Sequence, residues 1–143
     1  METTVSAGPG RWVIPVPRLR PPITLNSRMH HMVKWRAETD LRNEMRYVIR
    51  HARVPRLAAC MVELIWYPGR NGVFDADNIA PTLKPCQDAL VQAGVLPDDR
   101  SDRVLRASLR VIARKDDPAR SGTARLHFVV TDCSVLAPPE ECA

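Results

Sequence analysis

Leu57–Tyr67 reads Leu-Ala-Ala-Cys-Met-Val-Glu-Leu-Ile-Trp-Tyr. The run is almost continuously apolar, so it predicts a strand covered on both faces, in the interior of a sheet. Pro68-Gly69-Arg70-Asn71-Gly72 ends it sharply. Downstream, Ile79, Leu83, Cys86, Leu90 and Ala93 recur at helical spacing and form the buried stripe of a helix. Pro85 belongs in a helix's first turn, which predicts a regular helix from near Lys84, after an irregular turn. Gly94 is placed to cap its end. Upstream, Trp35–Arg53 reads as a helix with Trp35, Leu41, Met45, Val48 and Ile49 as its apolar stripe. Pro55 lies just beyond, where a stop is expected.

Further out, Arg11–Val16 reads as a first strand, kept to an edge by Pro15 and Pro17. Arg18–Lys34 is a proline-rich, then polar, loop. Val104–Arg114 alternates, with Leu105, Ala107, Leu109, Val111 and Ala113 on one side and Arg106, Arg110 and Arg114 on the other. That pattern predicts a half-buried strand with a basic outer face. After a turn at Lys115–Gly122, Thr123–Thr131 is expected to pair back on it as a hairpin. Residues 1–10 and 134–143 read as loose tails of one domain spanning 1–143. The order strand, helix, strand, helix, strand, strand predicts an α+β fold, a small mixed β-sheet with two packed α-helices.

A chain of 143 residues has the size of one domain. No run approaches the ~20 apolar residues of a membrane span. Met1–Gly10 lacks the basic start and apolar block of a secretory signal, so the expected location is cytoplasmic. Lys plus Arg is 21 against 16 acidic residues, a net charge of +5 with a pI near 9.4. Of those 21 cations 18 are arginine, whose planar fork suits phosphate. A basic single domain points towards nucleic acid, although a GC-rich genome would also enrich arginine. Cys60, Cys86, Cys133 and Cys142 form no Cys-x-x-Cys pair. With His30, His31, His51 and His127 they give no zinc-ligand spacing.

Chemistry concentrates in two acidic pairs. Asp75 and Asp77 flank Ala76 and precede Asn78, in the loop after the central strand. Asp98-Asp99 lie just past Gly94. Converging carboxylates suit Mg²⁺, which takes one or two of them plus waters and phosphate oxygens and polarises a phosphoryl group. Lys84 is placed to balance charge on a phosphate in the transition state. Asp-x-Asp-Asn is also ordinary turn chemistry, so spacing alone leaves both readings open. Arg42, Arg46, Arg50 and Arg53 share one helix face by spacing, either a phosphate-binding row or a solvated surface.

Asp75-Ala76-Asp77-Asn78, Lys84, Asp88-Ala89-Leu90 and Gly94-Val95-Leu96-Pro97-Asp98-Asp99 together resemble the RusA family of Holliday junction resolvases. Leu25-Asn26-Ser27-Arg28-Met29-His30-His31 is similar to the loop between that family's first strand and helix. The resemblance runs over roughly residues 11–131. It implies a RusA-like nuclease fold and a small homodimeric enzyme of bacteria, prophages or phages. Such enzymes act in DNA recombination and repair, cutting four-way DNA junctions symmetrically with Mg²⁺, with Mn²⁺ as a substitute. It places the catalytic and metal-binding aspartates on Asp75, Asp77 and Asp99, the catalytic lysine on Lys84, and supporting groups on Asn78 and Asp98. Phe74 stands where the type member has a basic residue, and the interval from Asp77 to Lys84 is longer. Phosphate contacts are therefore expected from Arg28, Arg42, Arg46, Arg50 and Arg70. The function so implied is a crossover junction endodeoxyribonuclease. The alternative is a non-catalytic, basic DNA-binding module, a degenerate resolvase.

Overall fold

The computed structural model of the chain describes residues 5–6 and 10–136. Along them run β1 (Val5–Ser6), β2 (Arg11–Val16), α1 (His31–His51), β3 (Cys60–Tyr67), α2 (Ala80–Gln92), β4 (Val104–Val111) and β5 (Arg125–Asp132). Short 3-10 turns lie at Ala76–Ile79, Arg114–Asp116 and Ser134–Leu136. The strands form one mixed sheet in the order β1-β2-β5-β3-β4, in which β3 and β4 are parallel and the other pairs antiparallel. This is the expected α+β fold. Its two helices and four longer strands come in the expected order.

β3 lies inside the sheet, between β5 and β4. Cys60, Val62 and Leu64 join the core under the helices, and Ile65, on the opposite face, is buried as well. The unbroken apolar run therefore reflects burial on both faces. On α1, Leu41, Met45 and Ile49 recur every fourth residue and are fully buried. On α2, Leu83, Cys86, Ala89 and Leu90 face the same core, which Ile14, Val16, Phe128 and Val130 complete from the sheet. Parallel pairing of β3 with β4 requires a crossover, and α2 supplies it. The acidic loop thus sits between β3 and α2.

Several sequence expectations are corrected. Trp35 is not part of the core: it is 59% exposed. Six residues separate it from Leu41, which turns the two side chains well apart around a helix of 3.6 residues per turn. The regular part of α2 starts at Ala80, not near Lys84, because Pro81 occupies the first turn. Pro85 therefore lies inside the helix and leaves the Pro81 carbonyl without its usual N–H donor. β5 does not form a hairpin with β4. It fills the slot between β2 and β3, where Leu126, Phe128, Val129 and Val130 are all buried, a degree of cover that an edge position beyond β4 would not provide. Leu105 is an extra residue opposite the Cys60/Met61 step. This bulge moves Val104 to the core side and leaves Leu105 partly exposed. Arg53 lies past the end of α1 with φ 56° and does not continue the arginine row. Within the expected N-terminal tail, Val5–Ser6 pairs with β2; within the C-terminal one, Ser134–Leu136 forms a 3-10 turn. Residues 1–4, 7–9 and 137–143, with Cys142, lie outside the described residues.

Candidate active site

The loop leaving β3 is held at several points before it reaches the first aspartate. Gly69 adopts φ +74° and packs so tightly that a Cβ there would meet the Gly122 carbonyl oxygen at 2.6 Å. The Asn71 Oδ1 accepts the Lys115 N–H at 2.8 Å, and the Arg70 carbonyl accepts the Arg114 N–H at 3.1 Å. Phe74 then packs edge-on against Trp66, ring centroids 5.6 Å apart. The Arg70 guanidinium lies 5.0 Å from the Phe74 ring centre.

Asp75 caps the 3-10 turn that follows: its Oδ1 accepts the Asp77 N–H at 3.1 Å, and its carbonyl accepts the Asn78 N–H. The local turn chemistry of Asp and Asn therefore builds the motif. Both carboxylates are exposed, and that of Asp77 has no ion pair or hydrogen bond among the described residues. Asn78 holds the chain before α1. Its Oδ1 accepts the Asn26 N–H at 3.2 Å, and its carbonyl accepts the Leu25 N–H at 3.0 Å. One turn on, the buried Thr82 hydroxyl donates to the Ile23 carbonyl at 2.7 Å. The segment that Asn78 supports is the loop Leu25–Asn26.

Lys84 projects from α2 onto Asp99, Nζ to Oδ2 2.5 Å, and onto Asp88 at 3.0 Å. The two carboxylates raise the Lys84 pKa above its ordinary value, the Asp99 hydrogen bond contributing most. Lys84 in turn holds Asp99 below the usual carboxylate range. Both groups are charged at neutral pH. Asp98 does something else: its Oδ1 accepts the Arg100 N–H and Nε–H at 3.0 and 3.2 Å, a cap for its own loop.

The expected residues thus assemble in two parts, Asp75 beside Asp77 and Asp99 beside Lys84 and Asp88. Among the described residues no three His, Cys, Asp or Glu side chains stand close enough together to hold a metal ion. The fit to Mg²⁺ rests on the acidic turn. Two exposed carboxylates on one hydrogen-bonded turn are the donor type taken by a cation that keeps most of its waters, whereas Asp99 is engaged by an ammonium. Asp88 enters the sequence reading only as part of a motif, with no role in the site, although its i,i+4 spacing from Lys84 is a legible ion-pair signal. Cys60 and Cys86 are buried, and desolvation pushes their thiols up to about 12, which keeps them protonated.

Of the expected phosphate contacts, Arg28, Arg50 and Arg70 are exposed, and Arg42 and Arg46 half-buried. None has an ion-pair partner among the described residues. Arg42, Arg46 and Arg50 share one side of α1. The chain matches no family model and no curated protein.

Proposed function

We propose that this chain is a Mg²⁺-dependent, structure-selective endodeoxyribonuclease that resolves four-way DNA junctions as a homodimer, by paired symmetric phosphodiester hydrolysis. The observation that carries this reading is the braced turn with two exposed carboxylates, Asp75 and Asp77, opening the helix that presents Lys84, in a chain of net charge +5. Asp75 and Asp77 would hold the metal, with Asp99 as the expected third carboxylate. Bound there, Mg²⁺ would polarise the phosphoryl group and acidify the attacking water. Lys84, kept as an ammonium by Asp99 and Asp88, balances the charge that grows on the phosphate oxygens as water adds and one ester bond breaks. Exposed arginines hold the backbones of the junction arms, reading shape more than bases. A two-fold dimer matches a pseudo-two-fold junction, which accounts for paired cuts.

A second reading, a DNA-binding module without turnover, is favoured by one observation: Asp99 is tied to Lys84 and not grouped with Asp75 and Asp77. One gel separates them. The protein is incubated with a labelled four-way junction or a matched linear duplex, in Mg²⁺, Mn²⁺ or EDTA, with Asp77→Asn alongside. Symmetric junction cuts that vanish in EDTA and in the variant are expected. Junction binding without cutting in either metal would establish the binding module. Equal cutting of linear duplex would remove the junction from the function.

A further inference from the structure

From Leu25 to Arg36 every side chain but the half-buried Met29 is exposed. The stretch includes the first turns of α1, where Met32, Val33 and Trp35 are each more than half exposed. Large apolar groups left in water on an ordered helix are available for a partner to cover. At about 100° per residue, Trp35, Arg42, Arg46 and Arg50 fall within roughly 80° of the helix circumference. Trp35 therefore stands at the head of the arginine row. Among the described residues none of these arginines is ion-paired, and the Arg42 Nε is buried with no hydrogen-bond partner. The loop that leads into α1 is also joined to the acidic turn. Asn78 binds the Leu25 and Asn26 backbone, and Lys34 and Pro81 line one cavity of about 130 Å³ with Leu25.

We propose that this face of α1 binds a single strand of DNA, with phosphates on Arg42, Arg46 and Arg50 and an unpaired base stacked on Trp35. An aromatic ring beside a row of guanidinium groups is what a strand with unstacked bases needs, whereas a paired duplex offers the ring no free base face. The charge argues for DNA over a second copy of the chain, since two-fold pairing of this face would set arginines against arginines. The proposal rests on the DNA-binding half of the function above, and it names the feature recognised: bases left unpaired at a branch.

The test is fluorescence anisotropy in EDTA, where nothing is cut, with labelled oligo-dT and a matched linear duplex. Trp35→Ala is expected to weaken oligo-dT binding roughly ten-fold and duplex binding by less than about two-fold. Trp35→Phe, which keeps a stacking ring, restores most of the oligo-dT affinity. Arg46→Ala weakens both DNAs and lowers the salt dependence. Equal losses on both DNAs, or no loss on oligo-dT, would overturn the proposal. So would a fall in sedimentation mass for Trp35→Ala with oligo-dT affinity unchanged, which would make the face a contact between copies. A selective oligo-dT loss in a protein that cuts no junction would support this face while removing the hydrolase reading.

Discussion

Gly69 and Gly94 both hold positive φ, +74° and +82°, yet their surroundings differ. A Cβ on Gly94 would meet nothing within 4 Å. Gly94→Ala therefore carries only the left-handed backbone penalty, about 1 kcal/mol. A Cβ on Gly69 would strike the Gly122 backbone, and both chain segments must move to admit it. Gly69→Ala is expected to lower the melting temperature clearly more than Gly94→Ala and to depress the proposed junction cleavage beyond its effect on stability, because the same loop delivers Asp75. Equal effects of the two substitutions on both measurements would show that the brace does not position the turn. At this scale the sequence is legible where chemistry is local. Asp75, Asp77 and Asn78 read as a turn because Asp and Asn bond their own backbone. The Lys84–Asp99 pair spans a helix and a loop, and no short-range spacing announces it.

Along α1 the same helical period led to a correct reading and a wrong one. Leu41, Met45 and Ile49 are four apart and fully buried. Trp35, assigned to the same stripe by hydrophobicity, breaks the interval and faces water. Leu41→Ala is expected to destabilise the protein by about 2–5 kcal/mol. Trp35→Ala should stay within about 0.5 kcal/mol. Urea unfolding of the two variants measures the contrast, and a large loss for Trp35→Ala would return that residue to the core. In α2 the stripe was legible but the start was not. Two prolines competed for the first turn and Pro81 took it, with Pro85 accommodated inside against buried neighbours. β5 carried the signature of an interior strand in its apolar run. Adjacency in sequence suggested β4 as its partner, but the greater burial lay between β2 and β3.

Across the whole molecule, the loop between β4 and β5 is clamped to the end of β3 from which the acidic loop departs. Asp117 is 2% exposed and accepts two hydrogen bonds from the Arg125 guanidinium, at 2.7 and 2.9 Å. That guanidinium also lies 3.8 Å over the Tyr67 ring. The Arg125 hydrogen bond does most to hold the Asp117 carboxyl down, at about 2 against an ordinary 3.8. Because the folded state binds the proton more weakly, Asp117 stabilises the fold fully well above pH 3.8. That contribution is lost as pH falls towards about 2. Unfolding measured from about pH 5 down to pH 2 should therefore show a decline that Asp117→Asn flattens. Arg125→Ala strands a buried carboxylate and is expected to cost about 3 kcal/mol at neutral pH. An unchanged acid limb in Asp117→Asn would show that the pair does not control acid stability.

The sequence by itself determined the α+β class, the buried stripes of both helices, the interior character of β3 and the acidic turn. Each depends on patterns within about a dozen residues, where side-chain alternation and backbone hydrogen bonding are set by neighbours in the chain. Only the tertiary structure decided that β5 separates β2 from β3, that Lys84 binds Asp99, that Asp117 meets Arg125, and that Trp35 stands in water at the head of the arginine row. Those outcomes depend on burial and charge shared between distant segments, which compete for the same core and the same partners once the chain has closed on itself.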